Sequence, residues 1–213
     1  MARMKPPEDA AAPELPPSRT VGARQDNGVM TELAWGTLGT PVGRLSVCCG
    51  EAGLRQIRFG GPPVPARAQH PAEASPGAAE EQRDAVVAQL AQYFAGKRRG
   101  FDLFIDWSVT SSVQQQVLRT LFGTVGYGET VSYGALARRV GHDSFGAEPP
   151  ARAVGQIMGS NPIPVVVPCH RVVAADGLGG YSGGTGTEVK RWLLTLEGAL
   201  PPTLDWDAAC LRA

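Results

Sequence analysis

The sequence predicts an α/β N-terminal domain, a small sheet with one helix, followed by a mostly helical C-terminal domain of winged-helix-like layout. Three observations predict it. Two short apolar runs flank Gly50 and Gly53 as in a hairpin, and a stretch from Glu81 to Ala95 carries apolar residues at helical spacing. Beyond Trp107 the apolar pattern is helical and punctuated by serine starts and glycine stops. At 213 residues the chain is longer than one average domain and short for two large ones.

Residues 1–28 are rich in Pro, Ala and charge, with little periodicity, and read as a disordered tail unable to offset its chain entropy by burial. Residues 29–107 form the expected α/β domain. Arg44–Cys49 and Leu54–Phe59 are its strands, and the consecutive Cys48 and Cys49 point to opposite faces as small packing residues. Residues 60–80, rich in Pro, Ala and Gly, predict a surface loop. The helix of 81–95 presents Val86, Val87, Leu90, Tyr93 and Phe94 and stops at Gly96, and Phe101–Trp107 predicts a return to strand.

Residues 108–199 form the second domain. Ser111 or Ser112 caps a helix carrying Val113, Val117, Leu118, Leu121 and Phe122, which stops near 123–126. Ser132 caps the next, through Val140; Ala151–Gly159 supplies a third, and Thr187 begins a fourth with Val189, Trp192, Leu193 and Leu196. Helix, turn and helix followed by a hairpin is the winged-helix-like order. Residues 200–213 are expected to be a C-terminal tail.

Composition excludes several classes. The 20 Lys and Arg balance 20 Asp and Glu, and residues 111–199 carry seven basic against six acidic side chains, so charge alone does not point to nucleic acid. No apolar run reaches the ~18 residues of a membrane span and the start lacks the order of a secretory signal, so a cytoplasmic, nucleoid-associated protein is expected. Cys48, Cys49, Cys169 and Cys210 fit neither a disulfide framework nor a C-x-x-C pair. With only His70, His142 and His170 besides, neither a metal nor an organic cofactor is expected.

The most informative run is Pro168-Cys-His-Arg-Val172. A free cysteine is usually inert core filler, yet His170 and Arg171 are groups that buried filler does not want and that favour a thiolate. The approach, Asn161-Pro-Ile-Pro-Val-Val-Val-Pro168, is β-branched and fenced by prolines, which predicts a stiff extended stretch holding the thiol in place. An activated cysteine nucleophile follows.

Asn161 through Val172 resembles the active-site signature of the O6-alkylguanine-DNA alkyltransferases. Gly128-Glu-Thr-Val-Ser-Tyr-Gly-Ala-Leu-Ala137, Ala151-Arg-Ala-Val-Gly155, Tyr181-Ser-Gly-Gly184 and Lys190-Arg-Trp-Leu-Leu194 through Glu197-Gly198 follow the family's order, and five ordered motifs are far more specific than one. The resemblance implies a ribonuclease H-like N-terminal domain and single-turnover transfer of an alkyl group from O6-alkylguanine, with O4-alkylthymine as a second lesion, to Cys169. It implies that His170 reaches Cys169 through a water, that Glu197 orients the imidazole, that Asn161 braces the active-site turn, and that Tyr133 hydrogen-bonds the flipped base and stabilises the leaving guanine.

Arg152 matches the family's arginine finger, which takes the place of the base flipped out of the stack, and Ala151, Ala153 and Gly155 are small enough for close approach to the minor groove. The carbonyls of Cys169 and Val172 are expected to meet the exocyclic amine. Tyr181 and Ser182 cover the alkyl group, and Met158 and Pro164 line the pocket. The partner implied is double-stranded DNA carrying alkylated guanine, bound by a monomer with modest salt dependence. Two features depart from the family: a longer turn over 141–150, and Gln156 where a second glycine is common.

Three other readings compete. A non-catalytic alkyl-lesion sensor of the alkyltransferase-like class lacks the reactive cysteine, so Cys169 argues against it. A Cys-His hydrolase needs a histidine from elsewhere, and neither His70 nor His142 has the motif context. A winged-helix regulator leaves the thiol incidental.

Overall fold

The computed structural model describes residues 33–61 and 77–202. The expected tail of 1–28, most of the 60–80 loop and nearly all of the 200–213 tail lie outside the described residues. Three antiparallel strands, β1 (Ala34–Thr40), β2 (Gly43–Gly50) and β3 (Gly53–Phe59), lie in sequential order. The β2–β3 hairpin pairs Leu45 with Phe59 and Val47 with Ile57, with an irregularity between Cys48 and Cys49. β1 went unread in the sequence because Gly36 and Gly39 interrupt its apolar alternation. It makes β2 the central strand, and Cys48 and Cys49, consecutive along it, are both buried.

Helix α1 (Ala78–Phe94) packs across the sheet. It starts three residues before the expected Glu81, where the Gly77 amide donates to Glu80 Oε2 at 3.3 Å. Val86, Leu90 and Tyr93 repeat at helical spacing and are fully buried with Leu45, Val47 and Leu54. Each aliphatic side chain among them contributes about 1.5–3 kcal/mol of burial free energy.

The strand expected over Phe101–Trp107 is a single bridge. Leu54 donates to the Phe104 carbonyl at 2.8 Å and accepts from Asp106 N at 3.0 Å. Gly53, at φ 118°, allows this crossing, since a Cβ there would lie 2.3 Å from the Phe104 carbonyl oxygen. Pairing goes no further because the next outward donor of β3, Ile57 N, bonds Pro162 O at 2.8 Å instead. The free edge of the sheet is thereby tied to the turn that precedes Cys169.

In the second domain, α2 (Ser112–Thr124) is capped by Ser111 and α3 (Tyr133–Val140) by Ser132, whose Oγ accepts from Ala135 N at 3.1 Å. α4 (Pro150–Gly159) begins with proline at its first turn, where no backbone donor is needed. Gly141, at φ 105°, ends α3 and opens the longer turn, and a 3-10 turn over His142–Phe145 drives Phe145 into the core. α5 (Thr187–Leu196) closes the domain. The expected hairpin is reduced: β4 (Val131–Ser132) and β5 (Val172–Val173) pair in parallel, and one antiparallel bridge joins Ala174 to Gly177. Residues of β2, β3 and α1 and residues of α2 to α5 share one continuous core.

Candidate active site

The approach to Cys169 is a tight turn and not the extended stretch that its prolines and valines predict. Asn161 folds it: its Oδ1 accepts from Ile163 N at 3.1 Å and its Nδ2 donates to Val167 O at 2.9 Å. Val167 N closes the loop onto Ile163 O at 3.0 Å, and the buried Val165 is held at φ 74°. A β-branched residue there stores about 1–3 kcal/mol of strain, which the surrounding hydrogen bonds and burial sustain. The turn delivers Cys169 into a 3-10 turn over Cys169–Arg171, 4 % exposed.

Burial pushes the Cys169 thiol up, opposed by the Asn161 side chain, the Tyr181 hydroxyl, the Lys190 charge and a backbone hydrogen bond. Arg171, expected to favour the thiolate, faces elsewhere. Its guanidinium is engaged by Glu197 and by the Val125 carbonyl, at 2.7 Å. The cation that serves the thiol is Lys190, which the sequence reading did not single out. It is fully buried on α5 and donates to the carbonyls of Val172, Leu178 and Gly180 at 2.6, 2.5 and 3.1 Å. Burial lowers its pKa to about 8, against the pull of Cys169. Lys190 lies three and four residues before Leu193 and Leu194 on the apolar stripe of α5, and a lysine in that position is the signal that marks it.

His170 and Glu197 meet as the resemblance implies. Both are buried, with His170 Nε2 3.1 Å from Glu197 Oε1. Burial would raise the Glu197 pKa, but hydrogen bonds from His170 and Arg171 and the Arg171 charge bring it down to about 2. A carboxylate only accepts, so a neutral His170 carries its proton on Nε2 and leaves the Nδ1 lone pair as acceptor. Nδ1 is buried and has no hydrogen-bond partner among the described residues. Burial holds the imidazole pKa below its ordinary value, so His170 is neutral at pH 7.

Cys169 lies at the junction of two cavities. One, of about 210 Å³, is lined by Tyr133, Gly155, Met158, Gly180, Tyr181 and Ser182. The other, of about 620 Å³, runs past Asn161 and Pro164 to the sheet, where Arg44, Arg58 and Phe59 form its far wall. Tyr133 is half-buried, its hydroxyl 3.4 Å from Gly180 O. The buried Tyr181 hydroxyl is pushed well above its ordinary pKa by burial and the Cys169 charge. Val172 departs from expectation: it is fully buried, lines neither cavity, and its carbonyl accepts from Lys190.

Arg152 stands on the first turn of α4, its side chain 73 % exposed and 3.2 Å from Glu148. Ala151 is exposed, while Ala153 and Gly155 are half-buried on the same helix. Among the described residues no group of three or more His, Cys, Asp or Glu is placed to hold a metal ion, and no helix is long and apolar enough to cross a membrane.

Two family models match: the 6-O-methylguanine DNA methyltransferase ribonuclease-like domain over residues 33–107 and its DNA binding domain over 112–199. The methylated-DNA–protein-cysteine methyltransferase of Cricetulus griseus is 38 % identical over 171 residues, covering 75 % of this chain and 79 % of the relative. That of Mycobacterium tuberculosis is 48 % identical over 117 residues; the match spans 54 % of this chain and 66 % of the relative, just under two thirds of its length. A crystal structure of the Mycobacterium tuberculosis protein in complex with DNA superposes with a TM-score of 0.60 at 36 % identity, covering 78 % of this chain and 93 % of the other.

Proposed function

The chain belongs to the 6-O-methylguanine DNA methyltransferase family, DNA-repair enzymes that transfer a methyl group from DNA to a protein cysteine, and we propose that it acts by one-time transfer from O6-alkylguanine to Cys169. The observation that carries this reading is a buried thiol at the mouth of a base-sized cavity, beside a neutral imidazole held by a buried carboxylate.

The proton of Cys169 passes through a water to His170 Nδ1, and the resulting imidazolium is stabilised by Glu197. The sulfur then attacks the O6-alkyl carbon; the S–C bond forms as the C–O6 bond breaks, and the electron pair leaves with the guanine. Tyr133 donates a hydrogen bond to the base and stabilises that charge, and the proton held by His170 returns to the departing guanine by way of solvent. The product is a thioether, and each molecule reacts once. O4-alkylthymine, with the same alkyl–oxygen linkage, is the second substrate.

A base inside a stacked duplex is out of reach of this thiol, so the target is flipped out at a cost of a few kcal/mol. Arg152, exposed at the start of α4, fills the gap, and the small Ala151, Ala153 and Gly155 allow the helix to sit close in the minor groove. Asn161 braces the turn, while Met158, Pro164, Tyr181 and Ser182 surround the alkyl group. The protein acts as a monomer on double-stranded DNA. Incubation with excess duplex containing O6-methylguanine, followed by nucleoside chromatography, tests the reading. Loss of one equivalent of lesion per protein and no more is expected; continued turnover or no loss contradicts it.

A further inference from the structure

We propose that Tyr93, contributed by the sheet domain, is a positioning residue of the transfer site, which through Glu197 keeps His170 an acceptor. The proposal rests on the alkyl-transfer reading above. Tyr93 lies near the end of α1 and is fully buried. Its hydroxyl donates to Glu197 Oε1 at 2.7 Å, the oxygen that also receives His170 Nε2 at 3.1 Å and Arg171 Nη2 at 2.8 Å. Oε2 takes Arg171 Nε at 2.8 Å and Gly128 N at 3.3 Å. Among the described residues this is the one side-chain hydrogen bond from residues 33–107 into the cluster of Glu197, His170 and Arg171.

The ring is fixed by edge contact with Phe94 and Tyr127 and a tilted contact with Phe101, at centroid distances of 5.3, 6.2 and 5.3 Å. A phenylalanine would meet that packing. The hydroxyl needs a partner in a buried site, and the partner it has is the carboxylate that orients the imidazole.

A carboxylate facing a histidine alone draws it toward the imidazolium, which accepts no proton. Each further donor on the same oxygen withdraws charge and weakens that pull. The other groups around His170 are Arg171 beside it, Lys190 of α5 and the thiol of Cys169; the two cations oppose protonation of the ring. Tyr127, also near Glu197, spends its hydroxyl on the Leu196 carbonyl at 2.9 Å. Tyr93 is thus the neutral donor that shares Oε1 with the imidazole.

Tyr93→Phe removes that donor. The carboxylate then holds the imidazole proton more tightly, His170 becomes more basic, and the base is lost at higher pH as acidity rises. The acidic limb of single-turnover methyl transfer is expected to move up by about half a unit to one unit, slowing the reaction on the acid side of that limb about three- to tenfold and leaving it within about twofold of wild type at pH 8.5. The ring signals of His170, one of three histidines in the chain, should titrate upward in step. Replacing Tyr93 by 3-fluorotyrosine, a stronger donor of the same shape, should move the limb downward. A uniform slowing at every pH with unshifted His170 titrations in both variants would overturn the proposal and leave Tyr93 a packing residue. If wild type transfers no methyl group, the functional reading fails, while the His170 titrations still decide the role of Tyr93.

Discussion

Arg171 and Glu197 are joined by two hydrogen bonds of 2.8 Å, Nε to Oε2 and Nη2 to Oε1, in a region closed to solvent. The residue after the histidine is thereby the counter-ion of the carboxylate that orients it. Glu197→Gln leaves the buried guanidinium without its charge partner, and losing one member of such a pair costs about 3–5 kcal/mol. A melting temperature lower by about 10 °C is expected in thermal denaturation, together with a large loss of transfer rate.

The same pair sets an acid dependence. The Glu197 pKa is depressed to about 2 in the folded chain, against about 4.3 for an unfolded glutamate. Its contribution is therefore present above the unfolded value and is lost as pH falls through the folded one. Stability on the order of 3 kcal/mol should disappear between about pH 4.3 and 2. Denaturant titrations across this window should show a steeper loss for wild type than for Glu197→Gln.

Lys190 makes two contributions that one variant separates from the rest of the site. Lys190→Met leaves the carbonyls of Val172, Leu178 and Gly180 without their donor and removes the charge facing Cys169. Transfer at pH 7 should fall about tenfold and the thiol should ionise at higher pH, read by the pH dependence of iodoacetamide alkylation. In wild type the ammonium loses its proton as pH rises through about 8, so the gain in rate from thiol ionisation should flatten there.

Asn161→Ala removes both hydrogen bonds that fold the turn around the strained Val165. A destabilisation of about 2 kcal/mol is expected by chemical denaturation, with slower transfer, because the thiol is no longer held in place.

What was legible in the sequence follows the range of the physics. Ser111 and Ser132 act within four residues of where they stand, and their helices begin where the sequence placed them, while the helix expected from Ala151 starts one residue earlier, at Pro150. Cys169 and His170 were legible as a pair. Glu197, 27 residues beyond His170, was legible through motif context alone, since a glutamate at a helix end otherwise reads as a solvated side chain. The turn before Cys169 was not: three consecutive valines carry strand propensity, and the hydrogen bonds of Asn161 override it. Tyr93 was readable as buried from its spacing with Val86 and Leu90, but its partner lies 104 residues away, and only the packing of the two domains brings them together.

Arg152 is exposed on the first turn of α4, and its ion pair with Glu148 is a surface one. Arg152→Ala should leave stability within about 0.5 kcal/mol of wild type and leave reaction with free O6-benzylguanine unchanged. Transfer from duplex at limiting concentration should drop at least about tenfold, measured by single-turnover kinetics, if Arg152 fills the gap of a flipped base as proposed.

The proposed function requires that Cys169 itself take the alkyl group. Intact-mass spectrometry after incubation with duplex containing O6-methylguanine, with Cys169→Ser in parallel, tests it most directly. A single added methyl group on wild type, located to Cys169 by peptide mapping and absent from the variant, is the predicted result. An unmodified wild type that still binds the lesion duplex would contradict the account and point to a sensor of alkyl damage.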